Sequence, residues 1–93
     1  MDYAGFAVPL SANGQTIATS TTSAQSAALK PGNYTCVVSA ITFVLKGANP
    51  TATNACAPLA PNTVHVLQGI QEGEKLAFLA VSGTGTASIC PAP

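Results

Sequence analysis

Few residues in this chain could do chemistry. They are one histidine, His65, three cysteines, Cys36, Cys56 and Cys90, and three carboxylates, Asp2, Glu72 and Glu74. Nucleophilic catalysis needs a thiol or hydroxyl beside a base, and a third group that orients the base. His65 stands inside TVHVLQG, a strand-like stretch, on the face opposite Val64 and Val66, and no acid is spaced to orient it. The plain expectation is a lone strand histidine; a cysteine–histidine dyad would need the fold to bring the two together. Glu72 and Glu74 flank Gly73. Two carboxylates can serve a glycosidase, but here they bracket a turn next to Lys75, where acids are ordinarily solvated. A calcium loop would need more oxygen ligands than this turn supplies.

The cysteines are spaced by twenty and thirty-four residues. That matches no zinc pattern, and only one histidine is at hand. An odd number cannot pair completely within one chain. Small buried hydrophobes, one disulfide between neighbouring strands, or a reactive thiol all fit, and Cys56 stands apart because it falls in a loop-like stretch. GTGT at Gly83 lacks the lysine and the strand-to-helix context of a phosphate loop. NYT at Asn33 matches a glycosylation acceptor, which matters only in a secreted eukaryotic protein. The sequence therefore assigns no catalytic residue, no metal ligand and no cofactor.

The elements that would position these groups are strands. GNYTCVVSA follows the Pro31-Gly32 turn and is rich in β-branched and aromatic types; Tyr34, Cys36 and Val38 share one of its faces. AITFVLKG alternates Ile41, Phe43 and Leu45 against Thr42, Val44 and Lys46. Ser39-Ala40 is a poor turn, so these two segments read as one bent strand or as two joined by a bulge. EKLAFLAVSG is apolar on both faces, the pattern of a central, covered strand. TASIC closes the series. Gln71-Glu72-Gly73 and Gly83-Thr84-Gly85 read as hairpin turns, with Gly73 at positive φ and Gly83 and Gly85 doing the same job in the second. Towards the N-terminus, Phe6, Val8 and Leu10 alternate, Ile17 centres a second short strand, and Asn13-Gly14 is a two-residue turn between them. Residues 23–30, SAQSAALK, could form a turn or two of helix or a strand leading into Pro31-Gly32. The expected fold is all-β: one domain over residues 1–93, a small antiparallel β-sandwich or jelly-roll-like barrel with long Pro/Ala/Thr-rich loops.

Composition narrows the function. Only 6% of the chain is charged and the formal net charge is zero, where soluble domains carry about 25% charged residues. Such a surface is wetted by Ser, Thr, Asn and Gln, or is covered by a partner or by copies of itself. Without a basic patch, binding nucleic acid through its phosphates is excluded. No apolar run approaches the ~20 residues of a membrane span. MDYAGFAVPL lacks the basic region of a secretory signal, and the expectation is folding in the cytoplasm.

The most unusual stretch is GANPTATNACAPLAPN, residues 47–62, which carries prolines and asparagines but no charge. Proline reduces the entropy lost when an unpaired segment docks. Small side chains allow close approach, and the absence of charge avoids the cost of burying ions. The expectation is an extended contact loop, with Asn49, Pro50, Thr51 and Pro58 in an interface. Residues 1–12 are a second candidate arm, with Tyr3 and Phe6 as its large apolar groups.

TTSAQSAALKPGNY, GANPTAT, PLAPNT, the GEKLAFL segment and GTGTASI occur in this order between Thr21 and Ile89. Together they resemble a pattern found in small virion proteins of tailed bacteriophages. The resemblance covers about three-quarters of the chain and rests on structural glycines and prolines; the cysteines are not part of it. It implies a β-sandwich that decorates or cements a capsid. Its partner would be the major capsid protein, and it would assemble as a homo-oligomer, a trimer capping a lattice point. It would be made in the host cytoplasm and located in the virion. It carries over no catalytic residue. A head–tail or tail-associated structural protein is the alternative place in the particle. A carbohydrate-binding module is the alternative class, although Trp is absent and only Tyr34 and Tyr3 could stack on a sugar. An ice-binding surface would want more regular threonines, and an enzyme comes last.

Overall fold

The structure, a computed structural model, describes residues 14–92. The expected strand at Phe6 to Leu10 and the candidate arm with Tyr3 and Phe6 lie outside them. Eight strands follow in chain order: β1 Gln15–Thr19, β2 Ala24–Gln25, β3 Gly32–Val38, β4 Thr42–Gly47, β5 Ala57–Leu59, β6 His65–Ile70, β7 Lys75–Ala80 and β8 Gly85–Ala92. They form two four-stranded sheets, ordered β1-β8-β3-β6 and β2-β7-β4-β5.

Every pairing within the sheets is antiparallel, and four of them are nested: β4 with β5, β3 with β6, β2 with β7 and β1 with β8. The chain is thus one long hairpin, with residues 48–56 at its tip, rolled so that successive pairs alternate between sheets. Rolling adds the β3–β8 and β4–β7 ladders. This strand order is that of an eight-stranded jelly roll, and the expected all-β sandwich is what the chain forms.

The core follows the two-residue period of the strands. Tyr34, Cys36 and Val38 of β3, with Ala87 and Ile89 of β8 and Ile17 of β1, face Val44, Leu76 and Phe78 of the other sheet. Phe78 is fully buried, and β7 is an internal strand between β2 and β4, as its two apolar faces predict.

Three local expectations change and one open alternative is decided. Residues 71–73 and 83–85 do not make hairpins, because β6 and β7, and then β7 and β8, lie in different sheets. Gly73 and Gly83 do take positive φ, 79° and 68°. Gly85 does not; it is small because a Cβ there would stand 2.6 Å from Ser39 Oγ, the atom that accepts the Thr86 N–H. Residues 39–41 likewise carry the chain from one sheet to the other, so β3 and β4 are not a single bent strand. SAQSAALK takes the second of its two expected forms, with Ala24–Gln25 as strand β2, and is not helical. A segment this short cannot repay helix nucleation, and β7 offers backbone partners instead: Ser26 N–H donates to Leu76 O at 2.7 Å and Leu29 N–H to Glu74 O at 2.8 Å. Finally, residues 47–62 are not all loop, since Ala57, Pro58 and Leu59 pair with Val44, Phe43 and Thr42 as edge strand β5.

Candidate interaction surface

The groups with chemical potential are held in ordinary structural roles. Cys36 and His65 are cross-strand partners on the core side of the β3–β6 ladder, so the fold does bring a thiol and an imidazole to neighbouring positions. Cys36 is fully buried, and burial pushes its thiol up to about 11. A nucleophilic cysteine needs the opposite shift. The His65 ring is engaged elsewhere: Nε2 lies 3.1 Å from the Ala60 nitrogen and 3.2 Å from its carbonyl oxygen, and in its unprotonated form accepts the Ala60 N–H. Cys56 is half-buried and its sulfur accepts the Thr53 N–H at 3.4 Å. Cys90 sits one residue along β8 from Ile89, the register partner of Cys36, and so projects from the opposite face of the sheet. Among the described residues no three His, Cys, Asp or Glu side chains gather into a metal-binding group.

Tyr34 has no face to offer a sugar. Its ring is in the core, and its hydroxyl donates to Lys30 O at 2.9 Å while accepting the Lys30 N–H at 3.1 Å. This removes one of the two aromatics on which a carbohydrate-binding reading relied. Asn33 is half-buried, and its Oδ1 accepts the Gly69 N–H at 3.4 Å.

Among the described residues, charge is gathered at one end. The charged side chains among the described residues are Lys30, Lys46, Glu72, Glu74 and Lys75. β4 ends at Gly47 opposite Lys75, and Leu29 bonds to Gly73 and Glu74, so all five share the end that holds the β6–β7 turn. Lys46 Nζ lies 3.2 Å from Glu74 Oε1, and that oxygen also accepts the Gln71 N–H at 2.7 Å. The Gln71 amide first, then Lys46, holds the Glu74 carboxyl below its ordinary value. Glu74 is therefore the clamp of a turn.

The rest of the surface formed by the described residues is neutral. On the outer face of the β1-β8-β3-β6 sheet stand Thr16 and Ala18, Thr86, Ser88 and Cys90, Asn33, Thr35 and Val37, and Val64, Val66 and Gln68, with no charge among them. Val37, Val64 and Val66 are 36%, 48% and 40% exposed. At the end remote from the charges, Ile41 and Val81 are 50% and 53% exposed and adjacent, Val81 N–H donating to Ile41 O. The sequence did not mark these five residues, because alternation shows that two faces differ but not which one turns inward. β4 illustrates this: Thr42 and Val44 are buried, whereas Ile41 and Leu45 are exposed. Thr42 can be inward because its hydroxyl donates to Ala40 O at 2.7 Å.

The charge-free 48–56 segment is a strap across the outer face of the second sheet. Gln25 Nε2 donates to Asn49 Oδ1 at 2.9 Å and to Pro50 O at 2.7 Å, and Ala52 N–H donates to Ser23 Oγ at 2.9 Å. Pro50 and Ala52 are buried. Asn49 is exposed but tied down, and Thr51 and Pro58 are exposed, Pro58 on the edge strand β5. The segment is thus ordered against its own domain, and its outer surface shows Asn49, Thr51, Thr53 and Asn54. Between strap and sheet runs a groove of about 690 Å³ lined by Thr51, Thr53, Phe43, Leu79 and Val81. Comparison with protein-family models, with curated proteins and with solved structures finds no match.

Proposed function

We propose that this chain is a non-enzymatic virion structural protein of a tailed bacteriophage, a decoration or cement protein that binds the major capsid protein and stabilises the lattice through contacts between symmetric copies. The observation that carries the reading is the segregation of charge among the described residues to one end, which leaves a whole sheet face and the opposite end neutral among those residues. Burying a charge costs free energy unless it is paired; a surface of Thr, Ser, Ala and Val avoids that cost. The apolar residues exposed there, Val37, Val64, Ile41 and Val81, gain from being covered, at roughly 25 cal/mol per Å². The jelly-roll strand order recurs in viral capsid proteins, as it does in lectins and cupins; that is support by analogy of fold. The resemblance between Thr21 and Ile89 supplies the viral origin, and with it the trimer.

Cryo-electron microscopy of the parent particle tests this directly. The expected result is density for an eight-stranded jelly roll at repeated positions on the capsid lattice, with its neutral surfaces against neighbours. Density at the head–tail junction or on the tail would reassign the protein within the virion. Its absence from purified particles would end the proposal.

A further inference from the structure

We infer that His65 is a pH-dependent clasp on the connection between β5 and β6: its ring trades the Ala60 N–H for the Ala60 carbonyl when it takes up a proton. This holds whether or not the chain attaches to a particle.

The connection, residues 60–64, carries the chain from one sheet to the other. Two kinds of contact hold it. At its middle, Asn62 N–H donates to Val38 O at 2.8 Å, and Pro61 forms a parallel bridge with Val38. At its start, Ala60 turns both of its backbone polar groups to one ring nitrogen: His65 Nε2 lies 3.1 Å from the Ala60 nitrogen and 3.2 Å from its carbonyl oxygen. The ring thus stands where the backbone of a neighbouring strand would stand. A ring nitrogen either accepts or donates, so it serves one of the two groups at a time. An N–H has one proton to give, whereas a carbonyl has two lone pairs, and native structures leave fewer N–H groups than carbonyls without a partner. The neutral ring is therefore set as the Nδ1–H tautomer, with the Nε2 lone pair on the Ala60 N–H.

His65 is the chain's only histidine, and histidine is the side chain whose charge ordinarily changes between about pH 5 and 8. On acidification Nε2 takes up a proton from solvent. The lone pair is lost, the Ala60 N–H then faces a donor, and the new Nε2–H donates to the Ala60 carbonyl in a charge-assisted bond. The surroundings leave this exchange to the ring. Among the described residues, the titratable groups on the strands around it are Cys36 and Tyr34 on β3, Lys46 on β4 and Lys75 on β7; residues 57–64 hold none. Cys36, the cross-strand partner, stays protonated in this range, since burial pushes its thiol up to about 11. The Tyr34 hydroxyl is bound to the Lys30 backbone. Lys46, paired with Glu74, and Lys75 lie at the end that holds the β6–β7 turn, whereas His65 opens β6. Exposed Val64 stands between His65 and the clasped segment, so the exchange acts at an edge of the neutral surface.

Nuclear magnetic resonance of the purified chain between about pH 5 and 8 reads the exchange. At the alkaline end the ring nitrogen shifts are expected to show Nδ1–H and an unprotonated Nε2. As the ring titrates, the Ala60 amide is expected to exchange with solvent roughly 2- to 13-fold faster relative to its intrinsic rate, the equivalent of one ordinary hydrogen bond. The Ala60 carbonyl carbon should shift over the same range as it gains a donor. The Asn62 amide, held by Val38, is expected to keep its protection. In His65→Gln, whose amide does not titrate, the pH dependence at Ala60 should vanish. Circular dichroism checks that this variant stays folded; should it unfold, the ring tautomer of the wild type decides alone. A neutral ring protonated at Nε2, an Ala60 amide that does not follow the ring, equal acceleration at Ala60 and Asn62, or a pH dependence that survives His65→Gln would each overturn the inference.

Discussion

Cys36 faces His65 across the β3–β6 ladder, yet burial makes its thiol less reactive than that of a free cysteine. The sulfur is enclosed by the core, and the thiolate has no solvent or cation to stabilise it. In the native protein Cys36 is expected to resist a thiol reagent at pH 8, while half-buried Cys56 is modified. Cys36 should become reactive only after denaturation. The pH dependence has a definite sign. In the unfolded chain the thiol titrates near 9, and in the folded protein near 11, so above pH 9 the unfolded state loses the proton first. The melting temperature should fall between pH 9 and 11, and should fall less in Cys36→Ala. Rapid native labelling of Cys36 would contradict the buried, raised thiol.

Glu74 gives the acid-side counterpart. Its carboxyl is held below its ordinary value of 4.5 by the Gln71 amide and by Lys46. Its contribution to stability is therefore present above that value and is lost as pH falls through the lower, folded one. Glu74→Gln keeps an acceptor for the Gln71 N–H but cannot titrate. The variant should show a flatter decline in melting temperature below pH 5 than the wild type. Lys46→Met should change little at neutral pH, as expected for a solvent-exposed ion pair.

How much of this was legible in the sequence depends on whether the signal is local. β3 could be read because Tyr34, Cys36 and Val38 alternate against polar neighbours, and β7 because Leu76, Ala77 and Phe78 are apolar on both faces. The sheet to which each strand belongs could not be read. A glycine such as Gly73 announces a reversal, but the same reversal serves a hairpin within one sheet or an arch between two. β5 was hidden because Ala57-Pro58-Leu59 has weak strand propensity; it is a strand because β4 offers an unpaired edge. In the candidate surface, the lack of charge in residues 47–62 was visible, but its use was not. The segment is bound to Ser23 and Gln25, more than twenty residues earlier in the chain. Val66 of β6 and Val64 just before it look like core residues in sequence, yet both are exposed, and the position of β6 at a sheet edge is not legible there.

Tyr34 tests how the β2–β3 connection is held. Its buried hydroxyl both donates to and accepts from the Lys30 backbone. Tyr34→Phe keeps the ring in the core but leaves the Lys30 amide and carbonyl without that partner. The expected loss is about 1–2 kcal/mol in a denaturant titration with an unchanged slope, in the range for a buried hydrogen-bonding group deprived of its partner. A change below about 0.3 kcal/mol would mean that water replaces the hydroxyl without cost.

Gln25 is the residue on which the strap depends most. Its amide makes two bonds to the segment, one to Asn49 Oδ1 and one to Pro50 O, whereas Asn49 contributes only the first of these. Gln25→Ala removes both and Asn49→Ala removes one. At about 0.5–1.5 kcal/mol per bond, the first substitution should favour local opening of residues 48–56 by roughly 5- to 150-fold, and the second by less. The effect should be confined to the strap, because β5 remains paired with β4 and the core beneath is untouched. Hydrogen exchange resolved by residue is the suitable measurement. Amides such as Ala52 should exchange faster in the order Gln25→Ala, Asn49→Ala, wild type, with exchange in β3 and β7 unchanged. If Asn49→Ala opened the strap as far as Gln25→Ala, the bond to the Pro50 carbonyl would contribute nothing, and the hold would rest on the Asn49 side chain alone.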